Sequence, residues 1–367
     1  MSTLKNRYLS LDVFRGMDVA LMIIVNSPGN GDTSFGILKH AVWNGFTLTD
    51  LVFPTFLFVV GNAMSFSMKK YEALGNAAFL KKIFKRFAII FLLGYLMYWF
   101  PFFEDGHLKP IAETRIFGVL QRIALCYLAA SLLVHYFKTK TVVIISAIFL
   151  IIYNIVMVTF GDLTLTGNAV LKLDKLLIGA NHMYHGNGGV AFDPEGLLST
   201  LPAIVNVTAG YLTGKFIQHK GQNFETIAKL LMVSAVLIVA GFAWDLIMPF
   251  NKKLWSSSFV LLTCGIDLMV ISILMYFLDM KKPGKWTYFF EVFGRNTLFI
   301  YLLSELFIIT LAEIKMTGTT AYHWIADNLF IAAAGGYFGS LLFALWIMFT
   351  CWLVGYIMDK RKIYIKV

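Results

Sequence analysis

Apolar runs of about 20 residues, the length that spans a bilayer as a helix, recur along the whole of this 367-residue chain. That recurrence removes most folds from consideration. A backbone inside hydrocarbon must satisfy its own N–H and C=O groups, which leaves helix bundles and closed barrels. The runs are continuous rather than alternating, so the fold class is all-α: a polytopic integral membrane protein. Charged residues make up only 14% of the chain, against roughly 25% in soluble domains.

Ten transmembrane helices are expected, at about 9–28, 48–68, 84–101, 115–137, 141–160, 196–216, 227–249, 255–278, 287–311 and 329–357. No internal repeat or low-complexity linker separates them, so residues 1–367 read as a single transmembrane domain. The segment from Met1 to Tyr8 lacks the pattern of a cleavable signal. Cys126, Cys264 and Cys351 lie within apolar runs and form neither a disulfide framework nor a paired metal spacing.

The net charge of +10 would point to nucleic acid in a soluble protein. Here its distribution between loops explains it, and no nucleic-acid partner is expected. The loops on the side of the termini hold twenty Lys and Arg residues, against seven in the alternate loops. Basic residues collect on the cytoplasmic side, so both termini are expected there. The loops at 29–47, 102–114, 161–195, 250–254 and 312–328 are then expected to face outward.

Ionisable residues inside apolar runs are costly and mark pairing, cavities or chemistry. Asp12, Arg15 and Asp18 are spaced three apart on one helix face of the first span. They form either a self-neutralised cluster or part of a binding cavity. Arg115 and Arg122 are seven apart, two turns on one face of the fourth span. Arg122, Glu305 and Asp245 are expected at similar outer depth, either in buried ion pairs or touching a phosphate or carbonyl.

His40 precedes the second span by a few residues, and Asp50 sits just inside it. A neutral imidazole takes a proton near physiological pH, or accepts an acyl group and passes it on. A structural loop histidine is the competing reading. Asn26, at the outer end of the first span, is placed to orient the other ring nitrogen. Thr47-Leu-Thr-Asp50 resembles a capping box with Asp in place of Glu, so Asp50 either caps its helix or tunes His40.

In the outer loops, His182 and His185 lack a third ligand at a telling spacing, so no metal is expected. Asp193 and Glu195 precede a span and read as caps. Asn251-Lys-Lys-Leu-Trp255 offers polar groups and an indole, a sugar platform or an interfacial anchor. Walker, Rossmann, HExxH and GxSxG signatures are absent, so a nucleotide-bearing donor would bind between helices.

Five segments occur in order: Ser-Leu-Asp12-Val-Phe-Arg15-Gly16, His40-Ala-Val-Trp-Asn-Gly-Phe-Thr-Leu-Thr-Asp50-Leu-Val-Phe-Pro54, Gly118-Val-Leu-Gln-Arg122, Ala191-Phe-Asp193-Pro-Glu-Gly196 and Asn251-Lys-Lys-Leu-Trp-Ser256. Together they resemble the heparan-alpha-glucosaminide N-acetyltransferase family, including its bacterial members, over essentially the whole chain. The resemblance implies acetyl transfer from cytoplasmic acetyl-CoA, as co-substrate, to the amine of a glucosamine-type sugar or glycan end across the membrane. The family's active-site histidine falls on His40 and its partnering asparagine on Asn26. The luminal domain that precedes the spans in the lysosomal member is expected to be missing.

The expectations are then these. His40 is general base or acetyl carrier, with Asn26 and Asp50 beside it. Arg122 and Arg115 meet the donor's phosphates or carbonyl, while Arg15 and Arg295 lie nearer the cytoplasmic entrance. Asp193, Asn251, Lys252 and Trp255 face the sugar. The bacterial inner membrane is the expected location, with membrane lipid around the chain and a homodimer among the expected assemblies. Leu-Asp12-Val-Phe-Arg15-Gly16 also resembles membrane acyltransferases that O-acylate surface polysaccharides. That gives the alternative chemistry, and a transporter or flippase without covalent chemistry is the reading from another class.

Overall fold

The computed structural model describes residues 8–72, 75–104, 106–186, 188–281 and 284–365. Lys5, Arg7, Lys282 and Lys366 of the charge count lie outside the described residues, as does the segment ahead of Tyr8 that was read for a signal. The chain is all-α. In order come α1 (Leu9–Asn26), α2 (Leu48–Glu72), α3 (Asn76–Trp99), α4 (Val119–Tyr136), α5 (Thr139–Phe160), α6 (Ala169–Ile178), α7 (Thr200–Lys220), α8 (Phe224–Asp245) and α9 (Ser257–Leu274). They are followed by α10 (Thr287–Arg295), α11 (Thr297–Glu313), α12 (Ala321–Ile325), α13 (Ala332–Ala334) and α14 (Gly336–Lys360). Among the described residues, strands occur only as two hairpins of two-residue strands, Phe103–Glu104 with His107–Leu108 and Lys315–Met316 with Thr319–Thr320.

Helix occupies each of the ten expected positions. By length and apolarity together, six helices among the described residues suffice to cross a membrane, or seven when α10 and α11 count as one bent span. Of the other three, α1 and α3 fall short because charged residues punctuate them, and α7 because Thr, Asn, Gly and Pro dilute its apolarity. The run at 287–311 is not one straight helix. It breaks at Asn296, and α10 and α11 meet at 85°. The last expected span is likewise interrupted, at Gly335 with φ +78°.

The contacts divide the chain into two compact units. The first comprises residues 1–40, 47–56 and 273–366. Within it α1 packs on α10, α11 and α14. Glycines permit the closest crossing: a Cβ on Gly16 would lie 1.9 Å from the Phe290 carbonyl oxygen, and one on Gly294 would lie 2.4 Å from that of Asp12. Small residues let backbones of membrane helices approach this closely.

The second unit comprises residues 41–46 and 57–272. Within it α4 packs on α3 and α7, and α7 also packs on α5. α2 and α7 cross at a second reciprocal glycine contact. A Cβ on Gly61 would meet the Val207 carbonyl oxygen at 1.8 Å, and one on Gly210 that of Phe58 at 1.8 Å. The segment after α5 has a core of its own, built from Tyr153, Met157, Val170, Leu171, Met183, Phe192, Met248 and Leu254, with Trp43 packed against it. Asn168 caps α6 by accepting from the Leu171 N–H at 2.8 Å.

Candidate functional site

In the first unit, the chain runs extended at Lys39 after a short 3₁₀ turn at Gly36–Leu38 and delivers His40 to the mouth of α2. His40 Nδ1 lies 2.7 Å from Asp50 Oδ1. The other carboxylate oxygen, Oδ2, accepts from the Thr47 backbone N–H and from Thr47 Oγ1, both at 3.0 Å. Thr47 Oγ1 also lies 2.8 Å from the Lys39 carbonyl, so its one proton is shared between that carbonyl and Asp50, tying the two ends of the loop together. Asp50 therefore makes the carboxylate half of a capping box and holds the imidazole at once. The His40 side chain is 43% exposed and that of Asp50 only 1%, so the ring is reachable while its anchor is fixed. A carboxylate on Nδ1 makes that nitrogen the N–H donor and leaves Nε2 as the lone-pair nitrogen. Such an imidazole can take a proton or an acyl group.

Asn26 closes α1, and its Nδ2 donates to Glu305 Oε1 of α11 at 3.1 Å. The His40 nitrogen expected to be oriented by Asn26 is engaged by Asp50. Arg15 lies 4.0 Å from Asp12 and donates to the Gly294 carbonyl at 3.2 Å. Arg295 is tied to Asp359 at 2.5 Å and to Glu291 at 2.8 Å.

In the second unit, Arg115 does not share a helix face with Arg122. Gly118 is extended, the helix begins only at Val119, and a Cβ on Gly118 would strike the Tyr98 ring at 2.2 Å. Arg115 instead grips Asp193 through two bonds, Nε to Oδ2 at 2.9 Å and Nη2 to Oδ1 at 2.7 Å. It also reaches Glu195 at 2.7 Å and stacks on the rings of Tyr98 and Tyr184. Burial pushes the Asp193 carboxyl up. Burial also works against Glu195, but Arg115, Arg122 and Lys252 outweigh it and hold that group down as the anion. Asp174, buried on α6, accepts from the Leu197 N–H at 3.0 Å. Its burial lifts its pKa to about 7.

Arg122 is fully buried. Its Nη2 meets the Gly196 carbonyl at 3.1 Å and the Ser199 hydroxyl, and its guanidinium lies 4.8 Å from the Trp255 ring. Among the described residues its Nε and Nη1 have no hydrogen-bond partner. Asp245 accepts from the Phe250 N–H at 2.6 Å.

The sugar platform expected at Asn251–Trp255 is buried. Trp255, in the left-handed region at φ +56°, donates to Asn206 Oδ1 at 3.0 Å. Asn251 donates to Asn44 Oδ1 at 3.1 Å and accepts from the Leu254 N–H at 2.8 Å. Asp193, Asn251 and Trp255 are all enclosed, and Lys252 alone of the four is half-buried. Nothing in the sequence pairs Arg115 with Asp193, 78 residues away, or Asn26 with Glu305, 279 residues away. The Thr47–Asp50 spacing is the one local signal that reaches the site. No cluster of three potential metal ligands occurs among the described residues.

A family model for heparan-alpha-glucosaminide N-acetyltransferase, catalytic, matches residues 7–248. That stretch holds Asn26, His40, Asp50, Arg115, Arg122 and Asp193. Asn251, Lys252, Trp255, Arg295 and Glu305 follow it. The mouse (Mus musculus) heparan-alpha-glucosaminide N-acetyltransferase is 27% identical over 361 residues, 82% of this chain and 53% of the mouse protein. The human (Homo sapiens) protein of that name is 27% identical over 368 residues, 84% of this chain and 54% of its own. The chain thus spans about half the length of the curated relatives it matches.

Proposed function

The chain belongs to the heparan-alpha-glucosaminide N-acetyltransferase family, and from that premise we propose that it is a membrane acetyltransferase carrying acetyl from acetyl-CoA to the amine of a glucosamine-type sugar. The observation that supports this reading most directly is the His40–Asp50 pair. A reachable imidazole has its Nδ1 held at 2.7 Å by a buried carboxylate, which sets Nε2 as the nitrogen that carries the lone pair. In this reading Nε2 removes a proton from the attacking amine, or carries the acetyl group between donor and acceptor. Asp50 fixes the tautomer and stabilises the imidazolium that forms. Asn26, at the outer end of the same unit's first helix, contributes an amide to the acceptor side.

Arg122 is the donor-side cation this reading favours, because two of its nitrogens make no hydrogen bond to the described residues. They suit a thioester carbonyl or a phosphate, whose oxygens charge-assisted bonds favour. Arg115 is saturated by Asp193, Glu195 and two tyrosine rings, and its part is to hold that loop. Arg15 and Arg295 belong to the cytoplasmic approach. Asp193, Asn251 and Trp255, being enclosed, shape the acceptor side through the loops they anchor, and Lys252 is the member left to touch a sugar hydroxyl. The orientation that goes with this has both termini in the cytoplasm of a bacterial inner membrane.

The test is direct. Purified protein supplied with acetyl-CoA and glucosamine should yield the N-acetylated sugar by mass spectrometry. His40→Ala should lower kcat by about a hundredfold or more, the usual share of a general base. Equal rates in parent and variant would remove His40 from the chemistry. Transfer to neither amines nor hydroxyls would favour transport instead.

A further inference from the structure

Glu305 stands in the third turn of α11, in the run Thr297-Leu-Phe-Ile-Tyr-Leu-Leu-Ser-Glu305-Leu-Phe-Ile-Ile. A carboxylate in so apolar a helix costs several kcal/mol unless something compensates it. The usual compensation is a salt bridge, and Glu305 has none among the described residues. Its one partner among the described residues is the neutral amide of Asn26, 3.1 Å from Oε1. Ser304 beside it turns away, bonding the Tyr301 carbonyl at 2.8 Å.

Exposure decides what the pair is for. Glu305 is only half-buried and Asn26 is exposed. A carboxylate facing lipid tails is not tolerated at membrane depth, whereas one lining a polar cavity is. The bond between the two residues also fixes which atoms remain. Nδ2 of Asn26 is spent on Glu305, so Asn26 presents its carbonyl oxygen and Glu305 its second oxygen. Among the described residues, no donor meets either acceptor. A site built of two acceptors and one negative charge wants a cation rich in N–H donors. A primary ammonium carries three such donors and one positive charge.

We propose that Glu305, with Asn26, is the subsite that binds the ammonium group of the acceptor. This deepens the proposed function and rests on it only for the identity of the amine. The carboxylate would distinguish an amino sugar from its hydroxyl counterpart, since the hydroxyl brings no charge and one donor in place of three. Transfer to nitrogen rather than oxygen would then be set partly at binding, before any bond to acetyl forms.

Binding can be read without chemistry. Full-length protein in lipid nanodiscs, with no acetyl-CoA present, is titrated calorimetrically with glucosamine and with glucose at a pH where the amine is protonated. The parent should bind glucosamine more tightly than glucose by about tenfold or more, the worth of a charge-assisted hydrogen bond. Glu305→Gln should abolish that preference while Glu305→Asp retains part of it, with thermal unfolding confirming that each variant is folded. A preference kept in full by Glu305→Gln, or absent from the parent, overturns the subsite. The acetylation assay runs in parallel and separates the two readings. Acetylation with a Glu305-independent preference sinks the subsite alone. Glu305-dependent binding without acetylation upholds the subsite and sinks the transferase.

Discussion

The two oxygens of Asp50 answer different demands: Oδ1 faces His40 Nδ1 and Oδ2 makes the carboxylate half of the capping box on Thr47. Helix start and imidazole orientation are thereby one feature, since a shift of the cap would move the ring. Asp50→Asn cannot serve both partners. The amide has one acceptor oxygen, so either the Thr47 N–H loses its acceptor or His40 Nδ1 faces an NH₂ group and must become the acceptor. The second arrangement puts the proton on Nε2, where the lone pair is needed. We expect kcat for acetyl transfer to fall by about a hundredfold or more, with KM for acetyl-CoA little changed. Unaltered kcat in a folded Asp50→Asn protein would make Asp50 a cap and nothing else. The Thr47-Leu-Thr-Asp50 spacing made the cap legible from sequence alone. That Asp50 tunes His40 is one of the two readings the sequence leaves open; which ring nitrogen it holds is not legible, because the two residues lie ten positions apart across a loop and no periodicity governs such a loop.

At the level of elements, hydropathy locates the helices well because burial in hydrocarbon demands long apolar runs whatever their tertiary partners. It is blind to breaks that leave the run apolar. The 85° bend at Asn296 falls in Gly294-Arg295-Asn296-Thr297, a polar interval too short to interrupt a span-length apolar window, and the Asn296 side chain holds Ile363 and Ile365 by 3.0 Å and 2.9 Å bonds, contacts of long sequence separation. Arg115 shows the same blindness at a helix start: a 3.6-residue count carried back from Arg122 passes through Gly118, which is extended. Crossings are equally hidden, since glycine scores as neutral in any hydropathy count. At the α2–α7 crossing the neighbours of Gly61 and Gly210 are backbone carbonyls, which do not rotate aside. Gly210→Ala should therefore force the helices apart and cost about 1–3 kcal/mol, the usual price of overpacking. It should be seen as a lowered Tm in detergent, whereas Gly31→Ala, with nothing within 4 Å of its Cβ, should leave Tm unchanged. Equal Tm for all three proteins would mean that the crossing is not close-packed.

For the whole molecule, the exposed surface carries the clearest message. α5 presents Val143, Ile144, Ile148, Ile151, Ile152, Ile155 and Val158, and α8 presents Met232, Val233, Val236, Val239 and Phe242, all exposed. A soluble monomer does not tolerate apolar faces of that extent, and a bilayer requires them. The chain is thus a membrane protein on two independent grounds, its apolar runs and where their side chains point. Which end faces which compartment depends on charge alone. Basic residues resist translocation, and they gather at the start of α5 and in the last turns of α7, at Lys138, Lys140, Lys215 and Lys220, while the segment holding His182 and His185 carries few. The native thiols do not interfere with a labelling test, because Cys126, Cys264 and Cys351 are all buried. Single cysteines placed at exposed His185 and exposed Lys220 should behave oppositely toward a membrane-impermeant maleimide added to intact cells. His185→Cys should label at once, and Lys220→Cys only after the membrane is permeabilised. The reverse pattern would invert the topology and place His40, whose loop belongs to the same expected outer set as His185, on the side where acetyl-CoA is made.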